Sequence, residues 1–136
     1  MAKMVLKASY VALNGVDRSA SASKIELSME VAEGDVTTFA SNGSVELIGG
    51  MKSGSLAVTF KQDVAAGSID EAMWALLGEV VPFEVRLTNA PASASNPKYT
   101  GSVLVKEWKP ISGSVGDVAE VDVSFPTSGA VVRATS

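Results

Sequence analysis

The chain has no cysteine and no histidine. Without cysteine there is no disulfide and no thiolate metal site. Without histidine the usual general base near neutral pH and the commonest metal ligand are both missing. Triads of the Ser-His-Asp or Cys-His kind are excluded outright, while Ser-Lys or paired-carboxylate chemistry stays open to an enzyme. Charged residues make up 19 %, below the roughly 25 % of an average soluble protein, so more of the surface is free for neighbours to cover. Aromatic residues make up 6 %, too few for a stacking platform on single-stranded nucleic acid. The net charge is −4 and lysines and arginines are spread singly, so the basic patch that a DNA-binding domain needs is absent. No stretch approaches the ~20 apolar residues that span a bilayer, and this chain is expected to insert in no membrane. Met1–Lys7 has no apolar run followed by a small-residue cleavage site, so it does not read as a secretory signal. The expectation is synthesis and retention in the cytoplasm, unless a larger body carries the protein out.

At 136 residues the chain is about one domain long, and the expected organisation is a single domain over 1–136. Its dominant period is two. Ile25, Leu27, Met29 and Val31 alternate with Lys24, Glu26, Ser28 and Glu30, and only a strand puts those sets on opposite faces. The same alternation recurs at Leu56-Val58-Phe60, at Phe83-Val85-Leu87 and at Ala119-Val121-Val123-Phe125. Each predicts a strand with one core face and one polar face, as in antiparallel sheets. Val5–Leu13 is more apolar and predicts a strand covered on both sides, with Asn14-Gly15 as the turn after it. Tyr99–Trp108 and a short Ala130–Arg133 complete the strands.

One helix is predicted over Ile69–Leu77. Ser68 and Glu71 have the spacing of a capping box, and Gly78 supplies a left-handed stop. Trp74 reads as a core residue of that helix, while Trp108 suits core and interface equally. Ala32–Gly50, rich in Gly, Ser, Thr and Asn, reads as an irregular loop. It exceeds the ~12–15 residues of an ordinary connection and is expected to be mobile until a neighbour orders it. Thr88–Lys98 reads as a second irregular segment.

No constellation carries chemistry. Glu26 and Glu30 are roughly 13 Å apart at strand rise, too far for a hydrolytic pair. Glu120 and Asp122 are nearer, but a solvated polar face explains them. Asp35, Asp63, Asp70 and Glu71 match no calcium loop, and Gly49-Gly50 and Gly54 precede a strand rather than a phosphate-binding helix. No cofactor, metal or catalytic residue is expected.

From Ile48 onward an ordered series of short motifs runs through the chain: Gly49-Gly50-Met51-Lys52, Ser55–Asp63, the helix with Trp74–Gly78, Phe83–Arg86, Ser95–Gly101 and Gly113–Asp117. Asn14–Asp17 and Gly34–Thr37 fit the same order. With it the chain resembles the tail tube (major tail) proteins of long-tailed phages, of the kind infecting actinobacteria. Ala32–Ile48 is more Gly/Ser-rich than the resemblance leads one to expect. The resemblance implies a mainly β fold, an antiparallel β-sandwich with one short flanking helix. It implies a non-enzymatic structural role in six-membered rings stacked into a tube through which a genome passes. Its implied partners are further copies of itself, a tape measure protein, a tail terminator, and DNA in transit without specific binding; its implied place is the virion tail, after synthesis in the host cytoplasm. A head decoration or connector protein and a non-enzymatic binding sandwich are the alternatives. Within that reading, the acidic residues Glu26, Glu30, Glu120 and Asp122 are candidates to face the lumen, since like charge on the wall repels a polyanion. Glu33, Asp35, Thr37, Phe39, Asn42 and Glu46, on an assembly loop at about 32–50, are candidates for contact between subunits.

Overall fold

A computed structural model of the protein describes residues 3–136; Met1 and Ala2, the start of the stretch read above for a signal, lie outside the described residues. The described residues form eight strands and one α-helix: β1 (Tyr10–Leu13), β2 (Val16–Asp17), β3 (Ala22–Asp35), β4 (Leu47–Lys61), α1 (Ile69–Leu76), β5 (Val80–Arg86), β6 (Lys98–Leu104), β7 (Glu120–Pro126) and β8 (Val132–Ala134). All the pairings between these strands are antiparallel. They build a five-stranded sheet in the order β2-β1-β5-β6-β8 and a three-stranded sheet in the order β3-β4-β7. The result is a mainly β sandwich, and alternation explains its packing. Val11, Leu13, Val81, Phe83, Val85 and Val103 face inward from the first sheet, while Leu56, Val58, Phe60, Val121, Val123 and Phe125 face inward from the second. Gly101 stands opposite Phe83 in the β5–β6 ladder. A Cβ there would lie 3.1 Å from the Phe83 ring and 3.2 Å from the Ala130 carbonyl oxygen, so the missing side chain makes room for the phenyl group.

The helix α1 carries the chain from one sheet to the other. Its Ile69 and Met73 are buried, and Leu76 packs on the core. Gly78 takes φ +91° after it, as expected of a left-handed stop. The capping box does not form: Ser68 has the extended cap conformation without a side-chain capping bond. Glu71 instead accepts from the Gly67 amide at 3.3 Å. Trp74 is not core but 60 % exposed, because Ile69 and Met73 define the buried stripe and Trp74 lies off it. Trp108 is the core tryptophan. It is 7 % exposed, its ring centroid is 5.9 Å from that of Phe60, and its indole N–H donates to Asp70 Oδ1 at 2.9 Å.

Two other boundaries differ from the sequence reading, while Thr88–Lys98 is irregular as read, apart from Lys98, which begins β6. Of Val5–Leu13, only Tyr10–Leu13 is strand, and Val5 and Leu6 are exposed. The Thr88–Lys98 segment is pinned by the buried Asn96, whose side-chain amide donates to the Ala90 carbonyl at 2.8 Å and whose carbonyl accepts from the Thr88 amide at 3.3 Å. Ala32–Gly50 is not an irregular loop. Residues 32–35 finish β3 and residues 47–50 begin β4, which reduces the connection to Val36–Glu46.

Candidate functional site

Two features of the three-stranded sheet stand out: its solvent face and a two-stranded arm. In cross-strand register, Lys24 pairs with Thr59 and Thr59 with Asp122, while Glu26 pairs with Ala57 and Ala57 with Ser124. Lys61 pairs with Glu120, and Glu30 with Ser53. Directly opposed residues share a face, so Glu26, Glu30, Glu120 and Asp122 lie on one surface rather than two. Where β7 completes the sheet, its opposite face is taken up by the core.

The carboxylates on that surface are mostly engaged. Glu120 pairs with Lys61 at 3.0 Å. Asp122 accepts from the Thr59 hydroxyl at 2.5 Å, and the Lys109 ammonium donates to its backbone carbonyl at 3.1 Å. Glu26 stands 3.8 Å from Lys24 and accepts from the Ser28 hydroxyl at 3.3 Å. The surface therefore mixes acids with lysines and hydroxyls. It has no closely opposed carboxylate pair of the kind that acid/base catalysis requires.

The arm arises because the third strand stops. β7 pairs with Ser55–Lys61 only, and after Pro126 the chain turns to the other sheet, where Thr127 bridges Val103. β3 and β4 continue together as far as Asp35 and Leu47. At strand rise the eight residues from Gly54 back to Leu47 reach roughly 27 Å. Alternation continues along the arm but no core receives it. Met29, Val31, Leu47, Ile48 and Met51, all on the arm, are exposed. Met29 and Val31 were expected in the core; they lie beyond the point where a second layer exists. Nothing in β3's own pattern marks that point.

The tip has a hydrogen-bonded frame of its own. Asp35 Oδ1 accepts from the Thr37 amide at 2.8 Å, and Thr37 Oγ1 accepts from the Glu46 amide at 2.8 Å. The Val36 amide donates to the Glu46 carbonyl at 3.0 Å. Phe39–Ser41 form one 3-10 turn, capped reciprocally by Thr38 and Ser41 and ended by Asn42 at φ 54°. Asp35, Thr37 and Glu46 are thus brought together at the neck of the tip, while Asn42 serves the turn. Glu33 lies in β3 opposite Gly49. Phe39 projects fully into solvent.

Thr37, through its hydroxyl first and its amide second, holds the Asp35 carboxyl below the ordinary Asp range. Ser19 does the same for Asp17, the hydroxyl again first. Both are turn contacts. Among the described residues no group of three or more acidic side chains is placed to hold a metal ion, and no helix is long and apolar enough to cross a membrane.

No protein-family profile matches the sequence, and no characterised protein matches it by sequence. Solved structures do match its fold. A chain from the virion of a native gene transfer agent particle is 21 % identical, with a TM-score of 0.66 over 84 % of this chain and 85 % of that one. A chain from the tail of an empty gene transfer agent particle, refined helically with C6 symmetry, is 19 % identical, with a TM-score of 0.64 over 82 % of this chain and 81 % of that one. The protein has the sandwich fold of these particle subunits.

Proposed function

We propose that the protein is a non-enzymatic tail tube subunit of a phage-like particle, assembling into six-membered rings that stack into a channel for DNA. The observation that carries this reading is the shared fold with a chain of a C6-symmetric tail, joined to a projecting arm that finds no cover within its own subunit. An isolated two-stranded hairpin is marginal in water, so apolar side chains along one call for a neighbour.

The free edges supply the ring joint. β3 and β7 border the three-stranded sheet, and both run antiparallel to β4, hence parallel to each other. Rotation about a tube axis sets β7 of one copy beside β3 of the next in the same direction. The row Lys24–Thr59–Asp122 then continues with the next copy's Lys24, an opposite-charge neighbour for Asp122. Pairing of this kind removes the unprotected edges that make an isolated sheet prone to aggregate.

In such a ring the free face of the sheet lines the lumen, because the five-stranded sheet covers its other side. Glu26, Glu30, Glu120 and Asp122 then face passing DNA together with Ser28, Ser55, Thr59 and Ser124. A wall with weak net negative charge and many hydroxyls lets a polyanion slide without gripping it. The arm, with Glu33, Asp35, Thr37, Phe39, Asn42 and Glu46 at or near its tip, reaches the adjoining ring. A tape measure protein inside the tube and a terminator at its end complete the partner set. The place of action is the virion tail, after synthesis in the host cytoplasm.

Negative-stain microscopy of the concentrated protein tests this reading. Rings or tubes with sixfold end views are expected. A persistent 14.0 kDa monomer in light scattering, with featureless grids, refutes it.

A further inference from the structure

Lys3-Met4-Val5-Leu6-Lys7 has the composition and alternation of a strand, yet it lies outside both sheets with Met4, Val5 and Leu6 exposed. A segment with strand character and no ladder lacks a partner, and the molecule has an edge that suits it. Along the arm, residues 28–35 of β3 pair with β4 on one side only. That edge carries Glu30, Glu33 and Asp35 and no basic residue. The arm's other free edge, residues 47–54 of β4, carries Lys52 and three glycines. Charge therefore directs a basic strand to β3 and away from β4.

We propose that Lys3–Lys7 of one copy adds as a strand to the arm edge of β3 in a second copy, an inference that rests on the tube-subunit reading for its setting. Period two matches on both faces. With Leu6 beside Met29 and Met4 beside Val31, the four apolar side chains share one face. Lys3, Val5 and Lys7 then fall on the face of Glu30, with both ammonium groups diagonal to that carboxylate. The added ladder satisfies the amides and carbonyls that the edge leaves open.

The segment does not sit against its own arm. Leu6, Lys7, Ala8 and Ser9 wall a groove of about 460 Å³ with Ala22, Ser23, Lys24 and Ile25, at the opposite end of β3. From Ile25 to Val31 is roughly 20 Å along the strand. The Ser9 hydroxyl donates to the Leu87 carbonyl at 3.1 Å, which tethers the segment's base beside the five-stranded sheet. A second copy is the occupant that meets the arm without moving that tether.

The absence of cysteine allows a direct test. Copies with Met4→Cys are mixed with copies with Val31→Cys and oxidised, and the products are separated without reductant. The expected product is a mixed dimer that needs both variants, and the double variant should give a ladder of linked chains. No mixed dimer within assembled tubes, or linkage inside single chains of the double variant, overturns the proposal. Mixed dimers without any tube would uphold strand exchange and refute the tube reading instead. In parallel, Lys3→Glu with Lys7→Glu should raise the critical concentration for assembly roughly tenfold, and Glu30→Lys with Glu33→Lys should restore it. Assembly of the lysine-reversed variant at the wild-type concentration, or no restoration by the second pair, also overturns it.

Discussion

Phe39 is the sharpest probe of the arm. It is fully exposed at the tip, so replacing it with serine removes no contact from the free subunit. The framing bonds at the neck and the turn, Asp35 to Thr37, Thr37 to Glu46 and Thr38 to Ser41, do not involve its side chain. Phe39→Ser should therefore leave the monomer's melting temperature within about 2 °C, as surface substitutions generally do. On the proposed tube reading, the neighbouring subunit covers the same ring. Burying a phenyl group contributes about 1.5–3 kcal/mol, and about 2 kcal/mol corresponds to a factor of roughly 30 in an association constant. The critical concentration for polymerisation, read by sedimentation across a dilution series, should rise by about that factor. Phe39→Leu should recover most of the loss and Phe39→Asp none of it. An unchanged critical concentration for Phe39→Ser would show that the tip stays in water after assembly. A large drop in monomer melting temperature would show that the tip packs on its own subunit.

Asp70→Ala should destabilise the free subunit by about 1–3 kcal/mol, because the buried Trp108 indole N–H loses its acceptor; equal melting curves for variant and wild type would remove Asp70 from that role. The Asp35 carboxyl lies below its ordinary range in the folded state, so its contribution to the arm tip is present above about pH 4 and is lost as pH falls through the depressed value. Protection factors at Thr37 and Glu46, taken against intrinsic exchange at each pH, should fall in acid, and Asp35→Asn should flatten that dependence; identical protection profiles for the two proteins would refute the assignment. Glu26→Lys combined with Glu120→Lys should leave tubes intact but make them retain DNA, with retention falling steeply as salt rises; normal transit at low salt would place this face away from the lumen.

Period two made most of the sandwich legible, because Leu56, Val58, Phe60, Val121, Val123 and Phe125 alternate wherever two layers meet. It failed at Met29 and Val31 for a physical reason. Alternation records which side of a strand a residue takes, not whether anything lies on that side. The arm is only partly legible because Gly49, Gly50 and Gly54 suit turn and arm alike, whereas two of them lie in a bulged ladder and the third in a tight strand contact. Trp74 reads as core but is exposed, because helical spacing alone does not decide which stripe of a short apolar helix faces the core. The capping box does not form because the Glu71 carboxylate accepts from the Gly67 amide instead of the Ser68 amide, and Ser68 makes no side-chain cap of its own. The four acidic residues were recognisable individually, but their union on one surface depends on register across three strands.

The end of β7 at Pro126 sets a boundary in stiffness. On the body side of Gly54 the sheet is three strands wide and backed by a second layer; beyond it a ribbon of two strands continues alone. Two-stranded ribbons twist more freely than wide sheets, so bending under load concentrates at that step. A Cβ on Gly54 would fall 2.6 Å from the Ser28 carbonyl oxygen and collide with Met29, so the two strands close tightly there and the arm pivots as a unit. A tube built from such subunits would keep each ring rigid and its bore constant, and would curve only in the gaps that the ribbons span.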